Sequence, residues 1–331
     1  MTGKNQHKEK LLAQCTLPVI GAPMFLISTP KLVVAQCLAG VVGCFPSLNA
    51  RPQSQLREWI HEIKAALNQA KKDNPDQKIA PFGINLVALE SNKRLQQDLE
   101  VCIEEEVPII ITSMQPPKDV AQKVHSYGGL HFHDVISVRH AKKAIEAGVD
   151  GLVLVCAGAG GHAGTLNPFA FVKEVRQFYD GIILLAGSIS SGNEIKAAEL
   201  LGADFAYIGT SFIATEEANA DPSYKEMITT SNTADIVYTP YFTGVNASFL
   251  IPSIKRAGYN PDKLTPPMIK KPSKLVLFFK HLMMKRRKNW KELWSAGQGV
   301  ATIDSVESVA TIVSELKSEY SNCIKQISNE F

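Results

Sequence analysis

A continuous apolar run, GLVLVCA at residues 151–157, leads directly into a glycine-rich segment, GAGGHAG at residues 158–164. Unbroken apolar runs of this length are typical of strands that are covered on both faces, as in a parallel sheet. The glycine-rich segment has the spacing of a dinucleotide-binding fingerprint, but the next helix waits for Asn167-Pro168 instead of starting inside the motif. The sequence therefore predicts a parallel strand that ends in a loop carrying His162, and it disfavours a Rossmann turn.

Seven similar runs flank this strand, and helix-periodic stretches lie between them. After the second run, for example, Leu56, Ile60 and Ile63 share one face of a helix. Eight strand-helix units that begin between residues 17 and 205 favour an α/β fold of the (β/α)8 TIM barrel type, with an insertion after strand 2, over an open doubly wound sheet. The predicted strands are Leu17–Ala22, Val41–Phe45, Phe82–Leu86, Ile109–Ser113, Leu130–Asp134, Gly151–Ala157, Ile182–Ala186 and Phe205–Gly209. Further helices are predicted at residues 93–105, 119–127, 138–147, 168–178 and 193–201.

The domain organisation follows from where this alternation stops. Residues 1–230 are predicted to form the barrel, and residues 231–331 a loop-rich and helical C-terminal extension that returns to the barrel and covers the active site. Six prolines between residues 231 and 272 favour such a cover over an independent second domain. A basic run from Lys280 to Lys291 is interpreted as a solvated helix face, with an acidic partner as the alternative.

The composition is that of a globular protein of low net charge. Thirty-five Lys and Arg stand against 32 Asp and Glu, and a net charge of +3 is too small to indicate nucleic-acid binding. The six cysteines form no C-x-x-C pair, which is typical of reduced thiols. The polar start MTGKNQHKEKLL does not resemble a signal peptide, and no apolar stretch reaches about 20 residues. We therefore expect a cytoplasmic protein without a membrane or nucleic-acid partner, and the sequence leaves open whether it forms an oligomer.

Two loops at the carboxyl ends of the last two strands point to a phosphate site. Gly187-Ser188 follows the seventh strand, and Gly209-Thr210 follows the eighth. In barrels of this class, small residues with free backbone N–H groups at these two loops bind phosphate, helped by a helix N-terminus. Ordinary tight turns are the alternative, but the combination of both loops favours a phosphate group.

Histidines mark two other loops at the carboxyl face, where barrel enzymes carry their chemistry. His162 is flanked by glycines and lies on no apolar helix face, so we interpret it as a functional imidazole. His131 and His133 are two residues apart on the fifth strand, and together with His162 they resemble the His-x-His start of a metal-dependent hydrolase site. Too few further ligands accompany them, so no metal is predicted and such a hydrolase is a remote alternative. We expect one of the pair to pack in the barrel and the other to approach the site.

Taken together, these segments resemble the nitronate monooxygenase family, formerly called 2-nitropropane dioxygenases. The resemblance covers the barrel from about residue 17 to 215 and resumes in a late segment that folds back over the flavin in the family. It rests on Gly21-Ala22-Pro23-Met24, Gly83-Ile84-Asn85, Gly160-Gly161-His162-Ala163-Gly164, Ala186-Gly187-Ser188, Ile208-Gly209-Thr210 and Ser295-Ala296-Gly297-Gln298-Gly299.

The resemblance implies a flavin-dependent oxidoreductase with non-covalent FMN. Its reaction would be oxidation of an alkyl nitronate or nitroalkane by O₂ to a carbonyl compound and nitrite. His162 would be the catalytic residue, and we expect His133 and Gln298 beside the substrate. The residues implied to hold the flavin are Ala22, Pro23, Met24, Asn85, Gly160, Gly161, Gly187, Ser188, Gly209 and Thr210.

Three positions depart from the family pattern. Asp134 stands where relatives often carry a lysine near the flavin, Ser188 replaces a usual second glycine, and residues 243–246 lack an arginine. These differences leave the substrate open. The group also holds NAD(P)H-dependent enoyl-acyl-carrier-protein reductases and quinone reductases, and such a flavin reductase is the alternative function.

Overall fold

Eight parallel strands form a nearly closed barrel in the computed structural model, which describes residues 3–115, 119–264 and 292–329. In chain order, the described strands are β1 (Val19–Gly21), β2 (Gly43–Pro46), β3 (Phe82–Ala88), β4 (Ile109–Met114), β5 (Leu130–Val135), β6 (Gly151–Val155), β7 (Gly161–His162), β8 (Ile182–Ala186), β9 (Phe205–Ile208), β10 (Ile236–Thr239) and β11 (Ala247–Leu250). The order around the barrel is β1-β9-β8-β6-β5-β4-β3-β2. The predicted TIM barrel is therefore confirmed, and the eight predicted strands are present with their ends shifted by a few residues.

Helices pack around this barrel and alternate with its strands. Asn167 illustrates how they begin: its side chain accepts the Phe169 N–H at 2.9 Å, and Pro168 occupies the first turn. The described helices are α1 (Gly3–Gln14), α2 (Pro30–Leu38), α3 (Gln55–Asp73), α4 (Leu95–Glu104), α5 (Val120–His125), α6 (Val138–Glu146), α7 (Pro168–Arg176), α8 (Gly192–Leu201), α9 (Thr210–Ile213), α10 (Pro222–Thr230), α11 (Ile251–Arg256) and α12 (Val309–Asn329). The insertion after β2 is mostly α3, whose apolar face packs against the barrel strands.

The barrel closes along a short seam between β1 and β2. Ile20 pairs with Val42 there, and the Gly21 N–H donates to the Val42 carbonyl at 2.7 Å. Gln36 of α2 is buried behind the seam. A Cβ on Gly21 would collide with the Gln36 side-chain amide at 2.3 Å, and a Cβ on Gly43 would meet the Val33 carbonyl oxygen of α2 at 2.5 Å. Glycine at both positions therefore lets α2 lie close enough to cover the seam.

Side chains that alternate inward along the strands fill the barrel. One buried cluster joins Cys44, Phe132 and Leu184, which come from different sides of the ring. Leu11 of α1 and Cys15, which follows that helix, belong to the same cluster, so α1 closes the barrel at its amino-terminal end. The carboxyl-terminal end is the one that remains available for a ligand.

A small antiparallel sheet is built onto the loop after β6. β11 pairs with β10 on one side and with β7 on the other, with Ala247 opposite His162 and Ser248 opposite Gly161. The glycine-rich segment, which we expected to be a loop throughout, thus contributes two residues to a strand. This pairing fixes the backbone of His162.

The end of the chain returns to the outside of the barrel. Val309, Val313 and Leu316 of α12 are buried in one cluster with Leu32 of α2 and Ile195 of α8. The division of the chain at residue 230 stays a prediction, and the basic run up to Lys291 lies outside the described residues. In the part of the chain that the structure describes, no helix is both long and apolar enough to cross a membrane.

The cap of α8 provides a test of this fold next to the loop after β8. Ser191 Oγ accepts the Glu194 N–H at 3.3 Å, and the Glu194 carboxylate accepts the Ser191 N–H at 2.9 Å. We expect Ser191→Ala to lower the free energy of unfolding in urea by about 1 kcal/mol, because the Glu194 N–H of the first turn loses its side-chain acceptor.

The matched control is Ser126→Ala, which removes an exposed hydroxyl that donates to the Lys123 carbonyl. We expect it to change the free energy of unfolding by less than about 0.5 kcal/mol. Equal losses in the two variants would contradict the capping role of Ser191.

Candidate active site

The loop after β8 has a backbone conformation that suits glycine. Gly187 has a φ of +131° and Ser188 a φ of +53°. A residue with a Cβ atom in the left-handed region costs roughly 1–2 kcal/mol, so Ser188 is strained where glycine would not be. A side chain on Gly187 would also meet the Ala157 carbonyl oxygen at 2.7 Å. The loop after β8 therefore lies in close contact with the loop after β6.

Three distant parts of the chain meet at this point. Thr210 Oγ1 accepts the Gly297 N–H at 2.9 Å, and the Gln298 N–H donates to the Gly158 carbonyl at 2.8 Å. A Cβ on Gly158 would come within 2.1 Å of Ser188 Oγ and 3.0 Å of Gln298 Oε1. The structure thus brings the predicted residues Ser188, Thr210 and Gln298 together, and the late segment folds onto both loops.

The turn after β1 joins the same group. Ala22 donates its N–H to the last residue of β9 at 2.8 Å, and the Asn49 side-chain amide donates to the Met24 carbonyl at 3.0 Å. A Cβ on Gly209 would lie 3.5 Å from Ala22 Cβ and 3.8 Å from Met24 Sδ. The backbone around Pro23 is therefore held beside the loop after β9.

The strand ends surround a space that is open at the mouth of the barrel. Several inward-facing residues at the carboxyl ends are partly exposed, namely Ala22, Ser113, Asp134 and Val155. Two residues deeper on the same strands, the inward-facing side chains are fully buried, namely Ile20, Ile111, Phe132 and Val153. The mouth is therefore a depression with an accessible wall and a closed, apolar floor.

One side of this wall is polar. Asn85, Ser113 and Asp134 occupy the inward face of three consecutive strands, β3, β4 and β5, and we call them the polar arc. Asn85 Nδ2 donates to Ser113 Oγ at 2.8 Å. In the ring of eight, β3 stands opposite β8 and β4 opposite β9. Asn85 and Ser113 of the polar arc therefore face the two loops that were predicted to bind phosphate, and Asp134 on β5 stands opposite β1.

Asp134 is the ionisable position of the arc, and its Oδ1 atom is buried without a hydrogen-bond partner in the part of the chain that the structure describes. Burial raises the pKa of this carboxyl to about 7. The Tyr207 hydroxyl is likewise buried without a hydrogen-bond partner among the described residues. Burial raises the pKa of Tyr207 and of Cys44 well above their ordinary values, and the negative charge of Asp134 raises both further, so the three groups share one part of the lumen. An unsatisfied buried polar group costs about 1–3 kcal/mol, which favours a wall built to contact a ligand.

His162 stands at the rim of the mouth. Its neighbour Ala163 belongs to the buried cluster of the barrel, and the Ala163 carbonyl accepts the Tyr238 hydroxyl at 2.6 Å. The His162 side chain itself is exposed, yet the protein around it partly desolvates the imidazole and lowers its pKa. The imidazole is therefore mostly neutral at pH 7 and accessible to a small molecule.

The structure does not bring His133 to the mouth. Because Phe132 and Asp134 point inward on β5, His131 and His133 point outward. Thr112 Oγ1 lies 2.8 Å from His131 Nε2 and 2.7 Å from His133 Nδ1. Burial lowers the pKa of His131 to about 3 and that of His133 to about 4. Both imidazoles are thus neutral core groups, and the described residues contain no set of three or more side chains placed to hold a metal.

A cavity of about 510 Å³ opens at the opposite end of the barrel, between α1, α3 and the start of β3. Its lysines are engaged locally, since Lys71 donates to the Gln77 carbonyl at 3.1 Å and Lys78 to the Cys15 carbonyl at 3.4 Å. Barrel enzymes place their chemistry at the carboxyl ends of the strands. We therefore interpret this cavity as a gap between packed elements.

Comparison with known proteins agrees with this arrangement. The family model for nitronate monooxygenase matches residues 6–319. The chain belongs to the nitronate monooxygenase family. It is therefore an oxidoreductase, from a family that is generally flavin-dependent.

Individual relatives of this nitronate monooxygenase family member are distant. A Mycobacterium tuberculosis protein named as a monooxygenase is 28% identical to this chain. The match covers 72% of this chain and 65% of the length of that relative. The "Probable nitronate monooxygenase" of Bacillus subtilis is 24% identical over 92% of this chain and 96% of its own length. The solved nitroalkane oxidase of Streptomyces ansochromogenes has a TM-score of 0.76 at 22% identity and covers 96% of this chain and 99% of that chain, a likeness that shows the fold.

Sequence reasoning assigned no role to two residues of the mouth, Ser113 and Tyr207, and considered Asp134 only as an acid beside the histidine pair and as a departure from the family. The signal was present in the strand pattern. Asp134 shares the parity of the apolar Phe132, whereas His133 does not, so alternation alone places the carboxyl group inside the barrel and the imidazole outside.

The loop after β8 provides a test of the predicted phosphate site. Gly187→Ala adds a Cβ atom at a φ of +131° and within 2.7 Å of the Ala157 carbonyl oxygen, so the loop must shift. We expect FMN to bind about tenfold more weakly or worse in a fluorescence titration, because each tenfold loss corresponds to only about 1.4 kcal/mol.

Gly128→Ala is the matched control, because Gly128 also has a positive φ, +82°, but has open space around it. We expect a small loss of thermal stability and an unchanged FMN affinity. Equal FMN affinities in the two variants would show that the loop after β8 does not hold the phosphate.

Proposed function

We propose that the protein binds FMN across the mouth of the barrel and oxidises alkyl nitronates with O₂ to a carbonyl compound and nitrite. One observation carries the proposal: the loops after β8 and β9 face Asn85 and Ser113 of the polar arc across an open space with an apolar floor. A molecule with a phosphate at one end and a planar, hydrogen-bonding ring at the other fits such a space. FMN has this shape and chemistry.

The residues present suit the parts of this cofactor. Gly187, Ser188, Gly209 and Thr210 would hold the phosphate, with backbone N–H groups and small hydroxyls as donors. The buried Oδ1 of Asp134 has no hydrogen-bond partner among the described residues, which supports a polar ligand at this part of the wall. The other residues proposed to contact the flavin are Ala22, Pro23, Met24, Asn85, Gly160 and Gly161.

The bound flavin would supply the electron-transfer chemistry. The protein's part is to hold the substrate against the cofactor and to exclude water from the apolar floor. A nitronate is an electron-rich anion, so it can serve as the electron donor without a nicotinamide. Gln298, which is exposed beside Ser188, is the residue we propose to contact the substrate from the late segment.

His162 is proposed as the base for neutral nitroalkanes. Its lowered pKa keeps the imidazole mostly neutral at pH 7, the form that accepts a proton from the carbon next to a nitro group. A preformed nitronate has already lost that proton. The two substrate forms therefore differ in their need for His162.

The first test is the cofactor itself. We expect the purified protein to be yellow and to release FMN, rather than FAD, on acid treatment. A protein that is colourless and gains no bound flavin on incubation with FMN would contradict the proposed function.

Anaerobic mixing separates the reactions. We expect a nitronate to bleach the flavin absorbance without NAD(P)H, because the substrate itself supplies the electrons. Bleaching by NAD(P)H but not by nitronate would replace this proposal with the alternative NAD(P)H-dependent reductase. Bleaching by neither would indicate a flavin-binding protein without this turnover.

The role of His162 is tested with His162→Asn. We expect the variant to keep its flavin and to lose on the order of 10²-fold in kcat/KM for a neutral nitroalkane, while its kcat/KM for the preformed nitronate changes little. In the unsubstituted protein, nitroalkane activity should fall as the pH drops through the lowered pKa of His162, because protonation removes the base.

His140→Asn is the control, since His140 is exposed on α6, outside the barrel. We expect both substrates to be turned over normally by this variant. Full nitroalkane activity in His162→Asn would show that His162 is not the base, and an equal loss with nitroalkane and nitronate would assign it to substrate binding instead.

A further inference from the structure

We propose that Asp134 makes the electron affinity of the bound flavin depend on pH, through the charge that its carboxyl group carries in the wall of the barrel mouth. This inference rests on the proposed flavin site. It adds one property to that site, a pH-dependent electron affinity of the flavin, which depends on the side chain at position 134.

The position of Asp134 is the first support. Asp134 lies at the carboxyl end of β5 on the inward face, as Phe132 does two residues deeper in the buried cluster. Its side chain is partly exposed to the mouth, although Oδ1 is buried and has no hydrogen-bond partner. A flavin ring that extends across the mouth from the loops after β8 and β9 toward Asn85 and Ser113 passes beside Asp134, because β5 is next to β4 and two strands from β8. The carboxyl group is thus placed to contact it.

The surroundings of Asp134 are the second support, because they leave its charge uncompensated. Cys44 faces it from β2 and Tyr207 from β9, and the pKa of each is raised far enough to keep both neutral at pH 7. The flanking positions on β4 and β6 are Ser113 and Val153, which carry no charge. Among the described residues, no Lys, Arg or His forms an ion pair with Asp134.

The titratable groups near the mouth and on β5 do not change this picture. His162 lies at the rim and is mostly neutral at pH 7 because its pKa is lowered. His131 and His133 share β5 with Asp134, but they point to its outer face and are kept neutral by burial. The change from carboxylic acid to carboxylate therefore alters the local charge by a full unit, and none of the described residues supplies a charge that cancels it.

The sign of the effect follows from charge repulsion. Reduction adds two electrons to the flavin. At pH values where fewer than two protons are taken up with them, the reduced flavin carries a negative charge. A carboxylate close to the ring disfavours that form, whereas a neutral carboxylic acid does not. Above the pKa of Asp134, which burial sets at about 7, the reduction potential should therefore be lower than it would be with an uncharged side chain.

Asp134→Asn tests this inference, since asparagine has nearly the shape of the neutral acid and cannot ionise. The measurement is the reduction potential of the FMN-loaded protein, from reductive titration against reference dyes at about pH 5.5 and about pH 8.5, on either side of the raised carboxyl pKa. We expect equal potentials for the two proteins at the acid pH. At the alkaline pH, the potential of the asparagine variant should lie above that of the unsubstituted protein.

Asp180→Asn is the matched control, because Asp180 is an exposed carboxylate that precedes β8, at the amino-terminal end of the barrel. It removes the same charge and should leave the potential unchanged at both pH values. If Asp134→Asn does not retain FMN, the visible spectrum of the unsubstituted protein with bound FMN is measured as a function of pH instead. A flavin band that shifts with pH around neutrality supports the inference, and a spectrum independent of pH overturns it.

The outcomes separate this inference from the proposed function. If no flavin binds, the proposed function fails and the inference fails with it. If FMN binds but the unsubstituted protein and Asp134→Asn have equal reduction potentials at both pH values, the flavin site stands and the proposed role of Asp134 is wrong.

Discussion

The site depends on one constraint: side chains alternate in and out along eight parallel strands that close on themselves. Because the ring is closed, the inward residues of all strands share one lumen, and their outward neighbours share the layer beneath the helices. A slip of one residue on β5 would exchange Asp134 for His133, and with it a carboxyl group for an imidazole. The short seam between β1 and β2, covered by Gln36, completes this ring. The chemistry at the mouth is therefore tied to the register of the whole barrel.

Close backbone contact then ties the end of the chain to this ring. A Cβ on Gly160 would meet the Gly297 backbone nitrogen at 2.9 Å, and a Cβ on Gly297 would meet the Gly158 carbonyl oxygen at 2.7 Å. Side chains at these positions would hold the two segments apart. Glycines on both sides let the Gln298 N–H reach the Gly158 carbonyl, so a segment about 140 residues away in sequence becomes part of the mouth. The helix α12 holds that segment by packing against α2 and α8.

The sequence was sufficient for the barrel and for the loops that carry small residues. Apolar runs indicated the strands, and their number indicated a closed ring, because both signals are local. The antiparallel pairing of Gly161-His162 with β11 was not predictable in this way, since it joins segments about 85 residues apart and leaves no periodic signal in either. The inward position of Asp134 was predictable from alternation with Phe132, but the interpretation compared Asp134 with metal-site acids and with the family pattern and did not apply the alternation. Buried atoms without partners, such as the Tyr207 hydroxyl, become visible only once the strands are assembled.

The chemistry proposed for the mouth depends on side chains that burial keeps uncharged. Desolvation acts in opposite directions on an acid and a base: it raises the pKa of Asp134 to about 7 and lowers that of His162. At pH values below the pKa of Asp134 and above the lowered pKa of His162, the carboxyl group is a neutral hydrogen-bonding acid and the imidazole is a neutral base. A nitronate carries a negative charge, and a second negative charge at Asp134 would oppose its entry, since Cys44 and Tyr207 bring no positive charge to balance it. Below that interval, His162 gains a proton and can no longer act as a base. The proposed chemistry is therefore favoured in a pH interval with two limits, the raised pKa of Asp134 and the lowered pKa of His162. Burial in the barrel sets both limits.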